Sequence, residues 1–199
     1  MSLIKDKEQF NKFVEILPDL KNDEVYFISL SARNKYLTTE EREFYGLGRT
    51  EMFSRAIIRR KEDFEYTLSK LESSLQYKLT KTKQNIPEKA LVVYININPS
   101  SMIKAYFALM NEMNKELHDI TFALQNNKIP NYSGIHLLDR KLMNCIQRAR
   151  SRKVFIDIDF DTQRFQICDT FLKVLTLRNV DHHRIKTKSG FHILIPKIK

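Results

Sequence analysis

The chain has 199 residues, of which 42% are hydrophobic and 11% aromatic. This composition supports a folded core and excludes a disordered or collagen-like chain. Lys and Arg number 34 against 24 Asp and Glu, which gives a net charge of +10. Such a surplus favours a polyanionic partner, with nucleic acid first and a nucleotide or an anionic membrane surface second.

The sequence carries no signal for export or membrane insertion. Charged residues begin at Lys5, so the N-terminus lacks the apolar stretch of a secretory signal. No apolar run approaches the ~20 residues that span a bilayer. The two cysteines, Cys145 and Cys168, are too few for a disulfide framework or a four-cysteine zinc site. We therefore expect a cytoplasmic protein that does not associate with membranes.

Hydrophobic periodicity predicts helices and strands in mixed order. Apolar residues three and four apart indicate helices, whereas runs of β-branched and aromatic residues indicate strands. In chain order the predictions are a helix over 5–17, a strand over 25–30, an Arg-rich loop leading to a strand or helix start near 52–58, a helix over 64–79, a strand over 91–97, a long helix from Ser100 or Ser101 to Leu124, a helix over 138–149, a strand over 153–160, a helix over 168–177, and strands over 184–187 and 191–195.

This order, without internal repeats, predicts an α+β or α/β fold in which helices pack on one side of a sheet. No stretch has the composition of a linker, so we expect one compact unit over residues 1–199. Residues 1–85 form a candidate N-terminal α/β subdomain, and residues 86–199 a candidate catalytic core.

The least ordinary segment is Val154–Asp161, in which hydrophobic residues alternate with aspartates. Because side chains alternate faces along a strand, Asp157 and Asp159 project from one face and the apolar residues from the other. Two carboxylates at this spacing are close enough to hold one divalent cation, as in two-metal phosphoryl transfer. The alternative interpretation is an edge strand whose solvent face is acidic.

A second candidate segment is the hairpin predicted near the C-terminus, with a tight turn at Ser189-Gly190. Glycine tolerates unusual backbone angles and permits an anion to approach main-chain N–H groups. On this interpretation four side chains converge on phosphate oxygens: Lys186, Lys188, Ser189 and His192. The alternative is a surface hairpin with solvated lysines and a histidine satisfied by a neighbour.

Asp157-x-Asp159 on a hydrophobic strand, then a helix, then Lys188-Ser189-Gly190-x-His192 on a hydrophobic strand, resembles the first two motifs of the archaeo-eukaryotic primase superfamily. That family includes primase catalytic subunits, primase-polymerases and the polymerase domain of bacterial end-joining ligases. The resemblance extends over about residues 138–195. It implies an RRM-like sheet packed by helices, and the small size of the chain suggests a phage or a mobile element.

The resemblance also implies roles for individual residues. Asp157 and Asp159 would bind Mg²⁺ or Mn²⁺, and Ser189 and His192 would contact the triphosphate of an incoming nucleotide, beside Gly190 and with Lys188 as a helper. The partners would be nucleoside triphosphates and a DNA or RNA template strand. The family has a third acidic residue beyond the second motif. Three residues of this chain are candidates to replace it, although none occupies the family's position: Asp161, Asp169 and Asp181.

Basic residues cluster near 32–61, 140–153 and 177–199, as a template groove requires. Four aromatic residues within the first cluster are candidates for base stacking: Tyr36, Phe44, Tyr45 and Phe53. The alternative is a solubilising surface with core aromatics. Two other functions stay open, a non-catalytic nucleic-acid-binding protein with the same fold and a metal-dependent nuclease that uses the same carboxylates.

Overall fold

The computed structural model describes residues 4, 6–73, 85–132, 137–161 and 165–197. These residues form a mixed α+β structure with antiparallel sheets. The chain divides into two compact units, of which the first comprises Met1–Lys5 with Asp19–Ser151 and the second Asp6–Pro18 with Arg152–Lys199. No boundary falls near residue 85, because strands from both sides of that position pair in one sheet.

The first unit holds most of the helices and one sheet. Its elements are β1 (Glu24–Arg33), α2 (Thr39–Tyr45), β2 (Thr50–Ile58), α3 (Asp63–Ser73), β3 (Leu91–Ile95), β4 (Ser100–Ser101), α4 (Met102–Gln125) and α5 (Leu138–Arg148). The predicted helix over 64–79 corresponds to α3, and its last residues lie outside the described part of the chain. Ser101 caps α4 by accepting a hydrogen bond from the backbone N–H of Lys104 at 3.1 Å, so the predicted cap is confirmed.

Strand β1 is the centre of the first unit. It lies between β2 and β3 and pairs antiparallel with both. Val25 and Phe27 on one face pack against α4 and α5, where Cys145 is buried. Leu30 and Ala32 on the other face belong to a second apolar cluster. Both faces of β1 are buried along much of its length, and its residues 25–28 read in the sequence as a continuous apolar run.

Helix α2 lies in the stretch where the sequence predicted only a loop. The Thr38 side chain accepts a hydrogen bond from the N–H of Glu41 at 3.3 Å, and the Glu41 carboxylate accepts one from the N–H of Thr38 at 2.8 Å. This reciprocal capping box fixes the start of the helix. Gly46 ends the helix in the left-handed conformation, at φ 58°. The Thr-x-x-Glu pattern of Thr38 and Glu41 is visible in the sequence and could have predicted the start of this helix.

The second unit is a three-stranded antiparallel sheet with two helices: α1 (Lys7–Ile16), β5 (Phe155–Asp161), α6 (Phe165–Leu177), β6 (His183–Thr187) and β7 (Gly190–Pro196). The strand order is β5-β7-β6, so α6 connects two strands that are separated by a third. This is a split β-α-β arrangement. Ile193 from β7 packs against Cys168 and Leu175 of α6, so α6 covers one face of the sheet.

None of the helices in the described ranges combines the length and the apolar character that crossing a bilayer demands.

Candidate functional site

The carboxylates of β5 lie on the sheet face opposite α6. Ile158 and Phe160 pack into the cluster beneath α6, and the period of two along a strand places Asp157 and Asp159 on the other side. Their side chains are 39% and 68% exposed. Asp161, the last residue of β5, shares this face by the same alternation.

His192 projects from the neighbouring strand β7 toward this aspartate pair. In the β5–β7 register it is paired with Asp159, and Leu194 is paired with Asp157. The Nδ1 atom of His192 is 2.7 Å from Oδ1 of Asp157, and its Nε2 atom is 3.6 Å from Oδ1 of Asp159. The structure therefore brings together the two aspartates and the histidine that the sequence predicted to share a site.

The electrostatics of this group favour a protonated imidazole. The hydrogen bond to Asp157 raises the pKa of His192 above its ordinary value of 6.5, and the charges of Asp157 and Asp159 act in the same direction. Partial burial of the ring opposes this shift, because desolvation disfavours the charged form. The site is thus an imidazole with a raised pKa, held beside two carboxylates at a partly exposed surface.

An apolar patch borders the site on the same sheet face. Leu194 is fully buried and Phe155 is 4% exposed, and the rings of Phe155 and His183 meet edge to face with centroids 6.2 Å apart. Asp157 lies next to this patch, whereas Asp159 and Asp161 lie toward the more exposed end of β5. The carboxylates therefore occupy different surroundings although they share one strand.

The hairpin turn differs by one residue from the prediction. Thr187 pairs with Gly190, so the turn residues are Lys188 and Ser189 and Gly190 is already the first residue of β7. An added Cβ at Gly190 would lie 1.8 Å from the carbonyl oxygen of Phe160. The close approach of the β5 backbone thus explains the glycine without any bound anion.

Lys186 does not face the same side as His192, contrary to the predicted convergence of four side chains. It is paired with Phe191, and Phe191 packs into the cluster beneath α6. Alternation therefore places Lys186 on the α6 side of the sheet and removes it from the phosphate-binding hypothesis. The sequence could not show this, because the relative facing of two strands depends on the residue at which the turn closes.

The candidates for a third carboxylate also separate. Asp169 lies on α6, and its carboxylate is 3.4 Å from Nη1 of Arg184. The guanidinium of Arg184 stacks 3.9 Å from the ring centre of Phe191, which places this ion pair on the α6 side. Asp161 lies on the same strand face as Asp157. Asp181 lies in the loop that precedes β6.

The chemistry of the aspartate pair fits a magnesium-type cation. Within the described ranges, no group of three or more His, Cys, Asp or Glu side chains is arranged to enclose a metal. Mg²⁺ commonly binds through only one or two carboxylates and completes its shell with water and substrate phosphates. Asp157 and Asp159 could supply hard oxygen ligands to an open site of this kind, because both carboxylates are partly exposed.

The edge position of β5 agrees with the alternative interpretation of the sequence, since β5 lies at one end of the strand order. The carboxylates are nevertheless not simply solvated, because His192 bonds one of them and faces the other.

The aromatic stacking hypothesis is corrected in part: Tyr45 and Phe53 pack against the apolar cluster around Leu30. Phe44 is 64% exposed and is still a candidate for base stacking.

We compared the chain with protein-family models, with curated proteins and with solved structures, and none of the three comparisons found a match.

Proposed function

We propose that the chain is a nucleotidyltransferase of the primase-polymerase type, which binds nucleoside triphosphates and a DNA or RNA template and joins nucleotides by metal-dependent phosphoryl transfer. The observation that carries this proposal is the convergence of Asp157, Asp159 and His192 on one sheet face. Two carboxylates suited to a cation beside a histidine suited to a phosphate are the groups that this reaction needs.

In this proposal Asp157 and Asp159 bind Mg²⁺ or Mn²⁺. The bound cation would supply charge neutralisation as the hydroxyl of the growing strand attacks the α-phosphoryl group of the triphosphate and pyrophosphate leaves. The aspartates themselves need no proton chemistry, because their role is to fix the position of positive charge. Asp161 is the residue best placed to add a third carboxylate from the same strand face.

His192 would donate an N–H to the triphosphate. Its ring already lies beside two carboxylate acceptors, so phosphate oxygens would offer it a partner of the same kind. Lys188 and Ser189 form the turn that leads into β7 and would add a cation and a hydroxyl at the end of that strand. Gly190 keeps the hairpin close to β5 and would act through packing.

The finer fold assignment belongs to the same proposal. The split β-α-β order of the second unit, with α6 on one face and the aspartates on the other, supports an RRM-like core. The net charge of +10 supports a polyanionic partner.

A non-catalytic nucleic-acid-binding protein is the second candidate function. It is favoured by the hydrogen bond between His192 and Asp157, which satisfies a carboxylate within the protein. Such a protein would bind DNA or RNA with a steep dependence on salt and with no response to metal or triphosphate.

The test is incorporation of labelled nucleotides on primed and unprimed templates with Mn²⁺ or Mg²⁺. Asp157→Ala with Asp159→Ala should reduce incorporation by at least about 100-fold. Asp169→Asn is the matched control, because it removes one carboxylate from the same unit on the α6 side of the sheet, and it should incorporate like the wild type. Urea unfolding of all three proteins checks that the fold is retained.

Equal incorporation by the double variant and the wild type would overturn the proposal. Release of nucleotides from a labelled strand, in place of incorporation, would make the protein a nuclease. Salt-sensitive binding with no incorporation under any metal would select the second candidate function.

A further inference from the structure

A groove on the first unit lies outside the aspartate site and has no role in the chemistry proposed above. It has a volume of about 450 Å³ and runs across the sheet formed by β1, β2 and β3. Six of its lining residues carry the argument: Ser29, Ser31, Arg33, Arg49, Met52 and Tyr94.

Strand alternation explains why the groove is polar. Phe27, Ser29 and Ser31 share one face of β1, and Phe27 packs beneath the helices α4 and α5. The two serines follow on the same face, beyond that apolar cluster, and are 2% and 1% exposed. A buried sheet face normally continues with apolar residues. Two serines in succession on this face therefore favour a polar occupant.

Two donors in the groove are unsatisfied. The Oγ atom of Ser31 and the Nε atom of Arg33 are both buried and have no hydrogen-bond partner within the described residues. A buried polar group without a partner costs about 1–3 kcal/mol, and most such groups in native proteins are paired. The Nε atom of Arg33 can only donate and the Ser31 hydroxyl can donate, so an acceptor would satisfy both.

The charged side chains that line the groove are both cationic. None of its lining residues is acidic, and Arg33 and Arg49 line it together. Arg55 is paired with Ser29 across β1 and β2 and donates to Oδ1 of Asn144 at 2.6 Å. Glu51, the nearest acid on β2, is paired with Ala32 and so lies on the opposite face. Burial lowers the pKa of Arg55, and the charge of Arg140 acts in the same direction.

Two exposed side chains, one aromatic and one aliphatic, also line the groove. Tyr94 is 41% exposed and Met52 is 39% exposed. Tyr94 lies on β3 and is paired with Ser29 of β1. Exposed aromatic rings beside arginines are the surface on which bases of single-stranded nucleic acids stack. The side-chain amides of Asn96 and Gln147 also line the groove, and an amide can bond the edge of a base.

We propose that this groove binds a nucleotide unit of a single-stranded nucleic acid, with a phosphate on Arg33, Arg49 and the Ser31 hydroxyl and a base on Tyr94. The inference rests on the proposed function only in taking nucleic acid as the partner. It assigns strand binding to the first unit, whereas the proposed chemistry lies on the second.

The test is fluorescence anisotropy of a labelled 12-nucleotide single strand, in EDTA, with the full chain. Arg33→Gln with Arg49→Gln should weaken binding at least 10-fold and should lower the magnitude of the slope of log K against log salt by about 0.7, since the one phosphate that both arginines contact contributes about 0.7 on a single strand. Tyr94→Ala should weaken binding roughly 5-fold or more, through loss of base stacking.

Lys115→Gln with Lys128→Gln is the matched control, because it removes the same charge from exposed positions on and after α4, and it should bind like the wild type. Arg49→Gln alone is a second variant that keeps the test decisive if the pair unfolds, because Arg49 is exposed. Ser31→Ala should weaken binding without lowering the melting temperature, since it removes an unsatisfied hydroxyl.

Equal losses in the groove variants and in the lysine control would overturn the inference. Displacement of the strand by a free nucleotide at the same concentration of phosphate groups would also overturn it, because the groove would then be a mononucleotide site. The Asp157→Ala, Asp159→Ala protein should bind the strand normally in EDTA. A failure of catalysis therefore leaves the groove intact, and a failure of strand binding is visible without any catalysis.

Discussion

His192 is hydrogen-bonded to Asp157 and not to Asp159, its direct partner in the register of β5 and β7. The Nδ1 to Oδ1 distance to Asp157 is 2.7 Å, whereas Nε2 is 3.6 Å from Asp159. Diagonal neighbours across two strands are within reach of a side chain as long as histidine. One imidazole thereby lies within 3.6 Å of two carboxylates that are two residues apart on the same sheet face.

This ion pair predicts a pH dependence of stability. The pKa of His192 is raised in the folded protein, so its stabilising contribution is full below the unfolded value of about 6.5 and is lost as pH rises through the folded value. His192→Gln should remove this dependence and cost less than about 1 kcal/mol at low pH, because the pair is partly exposed. The measurement is urea unfolding across this pH range.

His118→Gln is the control for the pH experiment, since His118 lies on α4 with its side chain 80% exposed. It should keep the wild-type pH dependence. An unchanged pH dependence in His192→Gln would show that the pair contributes nothing to folding.

Gly190→Ala should destabilise the second unit. The new Cβ would lie 1.8 Å from the carbonyl oxygen of Phe160 and 3.0 Å from Cα of Asp161, so β5 and β7 must move apart. Overpacking of this kind costs about 1–3 kcal/mol or more. Gly48→Ala is the control, because nothing lies within 4 Å of its added Cβ. A Gly190→Ala protein as stable as Gly48→Ala in urea would contradict the register of these strands.

Thr38→Ala should destabilise the first unit by about 1 kcal/mol, because it removes the side chain that caps α2. Thr39→Ala, one position further on, is the matched control. Thr39 is the first residue of α2 and is exposed, so alanine there should be neutral or slightly stabilising. Unfolding in urea compares the two variants, and equal stabilities would mean that the capping box is not formed.

Both cysteines should be inert toward a thiol reagent such as DTNB in the native protein. Cys145 is 1% exposed and Cys168 is fully buried, and burial raises the pKa of both thiols. The reactive thiolate is therefore both scarce and inaccessible near neutral pH. Two thiols should react once urea unfolds the chain, and rapid reaction without urea would contradict the packing of α5 and α6.

Local patterns in the sequence predicted much of the secondary structure and of the site. Alternation alone placed Asp157 and Asp159 on one face of β5. It also placed His192 and Ile193 on different faces of β7, because the period of a strand is a local property. The cap of α4, which was expected at Ser100 or Ser101 and is formed by Ser101, followed from side-chain chemistry in the same way. These features need only neighbours in sequence.

Features that depend on pairing between distant residues could not be predicted. The one-residue difference in the hairpin turn moved Lys186 to the α6 side, because a shift of one position reverses the facing of a strand. The pairing of β1 with β3, more than sixty residues apart, put both sides of residue 85 into one sheet. The groove depends on the same pairing, because it places Tyr94 of β3 beside Ser29 of β1.

The edge position of β5 has a consequence for handling the protein. The outer backbone groups of an edge strand can pair with a strand of another molecule, and charged side chains on such a strand oppose this association. The alternating aspartates of β5 therefore also protect solubility. Variants that neutralise both carboxylates remove that protection along with any chemistry, so their aggregation should be followed by light scattering beside every assay.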